Sequence, residues 1–268
     1  MANNKVEIEN NLNLIRSLIT KHKRHDHIFA GVGMFIIISL TITLLVLFLD
    51  LVFDGYPRFN LDFLTNFPSR RATAAGILSA WVGSSLVLIV TFFAAVPLGI
   101  AAGVYLEEYA KKNWFSDLIE INVTNLAGVP SIIYGLLALG LFVYGFGLGQ
   151  TILTAGLTLA LLMLPIVIVA TREAIRAIPI HIREAAYAVG ATKWQVSLHH
   201  VIQYSYGGIL TGVIIGMARA IGETAPVITI GALTFIAFLP PSPIGLEPPF
   251  INFEWLEAGF TVLPIQMF

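Results

Sequence analysis

Residues 208–239 read GILTGVIIGMARAIGETAPVITIGALTFIAFL. The stretch is apolar enough to lie in a bilayer, yet Arg219 and Glu223 stand inside it, four positions apart. On a helix, residues at i and i+4 share one face. Charged side chains at membrane depth face a bundle interior or a wet cavity and mark ion paths. Two readings of the pair follow. One is a structural ion pair that locks the helix to its own turn. The other is a positive site for an anion, with a carboxylate that competes for it. Desolvation offsets much of the attraction in a buried pair, so stability alone is a poor reason to place these charges here.

The composition supports a membrane setting. Hydrophobic residues make up 57% of the 268 and charged residues 12%, against roughly 25% charged in soluble domains. Mean hydropathy is +0.83. A formal net charge of −1 gives no electrostatic case for nucleic acid. With no cysteine, disulfides, Cys-ligated zinc and iron–sulfur clusters are excluded. The six histidines are scattered; no carboxylate or second histidine is spaced to close a metal site.

A membrane-spanning helix needs about 20 apolar residues. Five candidates emerge, at residues 28–51, 77–106, 122–146, 151–171 and 206–224, with Pro226 expected to end or kink the fifth. The apolar piece 227–239 is too short for another span; it extends the fifth helix or turns back into the membrane. The later segment PPSPIGLEPP and the Trp-containing tail read as an ordered loop at the interface. Residues 1–27 form a tail rich in Lys and Arg without a signal-type apolar core. The tail reads either as a surface amphipathic helix or as a disordered basic arm.

Basic residues orient such a chain. The tail holds Lys5, Arg16, Lys21, Lys23 and Arg24; Lys111 and Lys112 follow span two; Arg172, Arg176, Arg183 and Lys193 lie after span four. The opposite side holds Arg58, Arg70 and Arg71. The N-terminus and the 172–204 loop are therefore expected on the cytoplasmic side, with Phe268 outside. Pro-interrupted, Gly/Ala-rich segments such as AAVPLGIAAG, LAGVPS and LMLPIV favour a close-packed bundle around a pathway. The fold class is all-α, a polytopic membrane helix bundle. No internal repeat is evident, which counts against an inverted-repeat secondary transporter.

The loop PIHIREAAYAVGATKWQVSLHHVIQY, residues 179–204, predicts two short helices. Pro179 suits a first turn and Gly190 a C-cap. Thr192 and Gln195 have capping-box spacing. Ala185, Ala186 and Ala188 keep one surface low beside the charge of Glu184. The loop is either an ordinary helix resting on the membrane or a docking element for a cytosolic partner.

REAAYAVGATKWQ resembles the EAA loop of ABC-importer permeases, with the motif at Glu184, Ala185, Ala186 and Gly190. VPLGIAAGVYLEEYA, NLAGVPSIIYG, LPIVIVATREAIRAIP, ARAIGETAP and FTVLPIQMF resemble the PstA-type permeases of phosphate importers. The resemblance covers about residues 75–268. It implies a MetI-like fold over residues 28–268, with 173–204 as the cytoplasmic coupling loop. A sixth span after LPIQ is expected beyond Phe268. The implied location is the cell (inner or plasma) membrane. The implied partners are a PstC-type permease as heterodimer, two copies of a cytosolic ABC ATPase that binds ATP and Mg, an extracytoplasmic phosphate-binding protein, and lipid. No P-loop is present, so this subunit is expected to be a non-catalytic permease that binds no cofactor itself. The resemblance assigns coupling to Arg183, Glu184, Ala185, Ala186, Gly190 and Ala191. One departure is local: Gln203 and Gly207 stand where the family commonly has prolines, which bears on the bend between loop and fifth span.

Phosphate carries negative charge near neutral pH and needs fixed positive groups to cross. Arginine suits it, because its planar fork binds two oxygens. The path candidates are Arg219 with Glu223, and Arg172 with Glu173 at the inner end of span four. Asn125 and Ser131 flank the AGVP break. For Arg172 the alternative is positive-inside anchoring; for Asn125 and Ser131 it is helix packing. Permeases for sulfate or molybdate, and an ion-coupled transporter or channel, are the competing functions.

Overall fold

A computed structural model describes residues 2–71, 74–111, 113–244 and 250–266; the side chains of residues 2–22, 24 and 25 are outside the described set. Lys112, part of the 240–249 loop, and the last two residues of FTVLPIQMF therefore lie outside the described residues. The chain divides into two compact units, Met1–Asn60 and Leu61–Phe268. The first is helix α1 (Ala2–Gly55) followed by a 3-10 turn. The backbone of the basic tail is thus helical and runs without a break into the first apolar segment. The stretch Asp26–Arg58 is long and apolar enough to cross a membrane.

The second unit is all-helical among the described residues: α2 (Leu61–Thr65), α3 (Leu78–Val104), α4 (Trp114–Leu126), α5 (Ser131–Ala138), α6 (Ile152–Arg176), α7 (Ile180–Ala188), α8 (Lys193–Val196), α9 (Ile202–Gly222), α10 (Ala225–Ile230) and α11 (Leu263–Gln266). Three wide π turns extend these helices, at Tyr105–Tyr109, Leu139–Gly145 and Ser197–Val201. Helix α6 is the axis of the unit. Its residues Met163, Val167, Thr171 and Ile175 are fully or almost fully buried. Helices α3 and α9 approach it along glycines. Gly99 and Gly103 of α3 lie against Val167 and Thr171, and Gly208, Gly212 and Gly216 of α9 lie against Ala174, Ala170 and Met163. A Cβ at any of these glycines would crowd α6. Close backbone approach lets dispersion hold helices together in lipid, where no hydrophobic effect separates them from the solvent.

Three expectations change. The third span is a bent pair, α4 followed by α5, with a 103° turn at residues 127–130. Pro130 removes a donor and biases the residue before it away from helix; Tyr134 Oη donates to the Leu126 carbonyl at 2.8 Å across the break. The fifth span starts earlier than its apolar run. Helix α8, the Ser197–Val201 π turn and α9 form one stretch from Lys193 to Gly222. Gln203 and Gly207, lacking the proline ring, leave that stretch unbroken. Pro226 does not end α9, which stops at Gly222; instead it sits in the first turn of α10, where its missing N–H costs nothing. The piece 227–239 therefore opens with the last four residues of a short separate helix, closed by Gly231 at φ +100°.

The tail is well packed. Trp255, Phe260, Val262 and Ile265 are buried with Leu86 and Val87 of α3, Ile152 and Leu159 of α6, and Val227 of α10. The Leu263 amide donates to Ser84 Oγ at 2.8 Å.

Candidate functional site

Two arginine sites occupy opposite ends of the helix framework. At the loop end, the π turn after α3 brings Glu107 and Glu108 toward α6, and α4 brings Glu120. Arg172 and Arg176, one turn apart on α6, meet these carboxylates. Arg172 Nη2 lies 2.6 Å from Glu120 Oε2, and its Nε lies 3.5 Å from Glu107 Oε2. Arg176 donates from Nε to both Glu107 oxygens at 3.1 Å, from Nη2 to Glu120 Oε1 at 3.2 Å, and from Nη1 to Glu173 Oε1 at 3.4 Å. The Arg172 side chain is 7% exposed and that of Arg176 41%. Glu107, Glu120, Arg172 and Arg176 line a polar cleft of about 490 Å³ with Lys111, Ser116 and Asp117. Arg172 is therefore no solvated anchor. It is a buried cation, and the carboxylates beside it offset the cost of removing it from water.

Arg183 of α7 belongs to the same end. Its guanidinium donates to Glu108 Oε1 at 3.0 and 2.9 Å, and to the carbonyls of Ile178 and Ile175 at 3.1 and 3.0 Å. It thereby adds a charged donor to the carbonyls at and just beyond the end of α6, where intrahelical donors run out. Arg183 is an internal strut, so of the expected coupling residues it is not part of the outer surface. Ala186 is likewise turned inward, 5% exposed and packed with Ile175, Ile178, Val196 and Val201. The period of a helix explains this: with Ala185 outside, its neighbour turns about 100° away. Glu184, Ala185, Ala188 and Gly190 remain exposed, with Ala191 half-buried. The elbow has the expected chemistry. Gly190 has φ +85°, its amide donates to Tyr187 O at 2.9 Å, and Ala191 donates to Ala186 O at 3.2 Å. Thr192 and Gln195 form the reciprocal capping box. Tyr187, Val189 and Trp194 present apolar surface beside the turn.

Arg219 lies in the last turn of α9. It is 26 residues beyond Lys193, or roughly 40 Å along the helix at 1.5 Å per residue. Its Nε donates to Glu223 Oε1 at 3.1 Å. Glu223 sits just past the helix, at the C-cap with extended backbone. Its side chain is 15% exposed and that of Arg219 43%. Glu223 borders a small cavity lined by Ser84, Val87, Leu159 and Val262. The Nη atoms of Arg219 hydrogen-bond no other described residue, so the outer edge of its fork is open to a planar or tetrahedral oxyanion. Nearby negative carbonyls at the helix end also favour a cation here.

Asn125 and Ser131 stand on either side of the bend. Asn125 is exposed in the last turn of α4, and its carbonyl accepts from the Gly128 amide at 3.0 Å. Ser131 opens α5. The structure joins neither side chain to either arginine site. The residues missed from the sequence are Glu107, Glu108 and Glu120. A signal existed: VYLEEYA places two carboxylates at the loop end of span two, where an excess of arginines also gathers.

Residues 95–252 match the family described as the binding-protein-dependent transport system inner membrane component. That stretch contains both arginine sites and the elbow. The chain is 32% identical over 239 residues to the probable ABC transporter permease protein YqgI of Bacillus subtilis, covering 88% of this chain and 76% of that one. It is 40% identical to the phosphate transport system permease protein PstA of Mycobacterium leprae, over 73% of this chain and 59% of that protein. With PstA of Haemophilus influenzae it shares 30% over 89% of this chain and 84% of the relative.

Proposed function

The chain belongs to the family of binding-protein-dependent transport system inner membrane components, and from that premise we propose that it is the PstA-type transmembrane subunit of an ABC importer carrying inorganic phosphate into the cytoplasm. The observation that carries the substrate is the likeness to proteins named phosphate transport permeases, 30% identical over 84% of one of them. The chemistry agrees: a half-exposed guanidinium at membrane depth, paired on one edge only.

In this reading the subunit performs no catalysis and holds no cofactor. It pairs with a PstC-type permease, receives phosphate from an extracytoplasmic binding protein, and is driven by two copies of a cytosolic ATPase that binds ATP and Mg. The excess of Lys and Arg at the loop end and in the N-terminal tail supports a cytoplasmic side for both.

Arg219 is the outer station for phosphate, and Glu223 competes for its fork so that binding stays reversible. Arg172, with Glu173 beside the cluster, is the inner station; Asn125 and Ser131 supply polar groups at the bend. Glu184, Ala185, Gly190 and Ala191 present the docking elbow, which Arg183 and Ala186 fix to the bundle. ATP-driven movement passes from elbow to α6 through the Arg183 strut and alternately exposes the two stations. Substituting Arg219→Gln and Arg172→Gln separately, with membrane abundance controlled, is expected to lower phosphate uptake in both. Normal uptake in both variants would refute the relay.

A further inference from the structure

We propose that Glu120 is a substrate-displaced latch: phosphate arriving at Arg172 and Arg176 takes the place of its carboxylate and frees α4 from α6. This rests on the reading of the chain as a phosphate permease subunit.

Helix α4 has no buried side chain. Its ends are held locally, by the Asn113 cap on the Ser116 amide and by Tyr134 on the Leu126 carbonyl. Along its length, among the described residues, the polar contact to α6 is Glu120. That carboxylate bridges two guanidiniums, one oxygen to each, at 2.6 and 3.2 Å. A phosphate presents two oxygens to two arginines in the same way, and binds them with charge-assisted bonds. Exchange is possible because Glu120 is 38% exposed at the cleft, whereas Glu107 is 20% exposed and stays on the Nε side of both arginines. The cleft of about 490 Å³ has room for a phosphate and several waters, each water occupying about 30 Å³.

The exchange also has a return stroke. Arg172 is buried, and its Nε has no hydrogen-bond partner among the described residues. When phosphate leaves, the buried guanidinium keeps only the 3.5 Å ion pair of its Nε with Glu107, and a buried charge so thinly paired is costly, so Glu120 re-engages. The acid thus holds the inner mouth shut when the site is empty and opens it only for an oxyanion.

The test uses the complete importer reconstituted in lipid. The chain has no cysteine, so Asn122→Cys on α4 and Ala177→Cys after α6 give two spin-label sites whose separation is measured while inorganic phosphate is titrated. The proposal expects a longer separation with phosphate. Glu120→Gln is expected to show the longer separation without phosphate and no further response. Glu120→Asp keeps the charge on a shorter arm, and its half-point should fall about tenfold; it carries the test if Glu120→Gln fails to assemble. A phosphate-insensitive separation in the unsubstituted latch, or an unchanged half-point in Glu120→Asp, overturns the latch. Phosphate uptake by the unlabelled importer is measured alongside. Uptake with an insensitive separation defeats the latch alone; no uptake defeats the phosphate reading and the latch with it.

Discussion

The two arginine sites solve opposite problems. Arg172 is 7% exposed and meets carboxylates from two other elements, the π turn after α3 and α4. Arg219 is 43% exposed and meets one carboxylate at the end of its own helix, four residues away. The first is a cross-brace whose charge is already answered. The second is a local pair with its outer edge open. A cation in a membrane protein is therefore not read from its presence alone. Its partners decide whether it holds the fold, meets the substrate, or passes from one role to the other.

The sharpest way to break this contrast is to remove each arginine. Arg172→Gln leaves Glu107 and Glu120 without their deepest partner, and breaking a buried pair costs about 3–5 kcal/mol. Thermal unfolding of the purified complex should shift markedly down, and membrane abundance should fall with uptake. Arg219→Gln should leave abundance and unfolding near normal. Its uptake should drop about 10- to 100-fold, the worth of hydrogen bonds to a charged group of about 1.5–3 kcal/mol. If both variants lose abundance equally, the division into brace and open site fails.

Two smaller changes probe how the elbow reaches the braced end. Gly190 sits at φ +85°, and an L side chain there costs about 1–2 kcal/mol. Gly190→Ala should raise ATP hydrolysis per phosphate carried while substrate binding to the isolated binding protein is unchanged. Thr192→Ala removes the capping-box hydroxyl, worth about 1 kcal/mol. It should produce the same uncoupling more weakly, read as the ratio of ATP consumed to phosphate transported. Coupling as tight as in the parent importer for both would separate the elbow from the drive.

What was legible in the sequence follows from range. Interactions within one turn were readable: the Arg219–Glu223 pair, the Gly190 cap and the Thr192–Gln195 box each depend on spacing along one segment. The apolar runs located the helices, because lipid demands about 20 apolar residues whatever the tertiary fold. The loop-end cluster was not readable, since Glu107 and Glu120 stand 65 and 52 positions from Arg172. Their meeting depends on the Tyr105–Tyr109 π turn, which rotates the end of α3, and on the 103° bend after α4. Likewise the start of the fifth span was hidden. Residues 193–205 intersperse Lys193, Gln195, His199, His200 and Gln203 among apolar side chains and so form no apolar run, yet they continue the same helix.

The most direct test of the account is ATP-dependent uptake of labelled phosphate by the reconstituted importer, with excess unlabelled phosphate or sulfate as competitor, in the unsubstituted complex and in Arg219→Gln. The account predicts uptake that requires ATP, is suppressed by phosphate but not by sulfate, and is largely lost in Arg219→Gln at equal abundance. Equal suppression by sulfate, or full uptake by the Arg219→Gln complex, would contradict it.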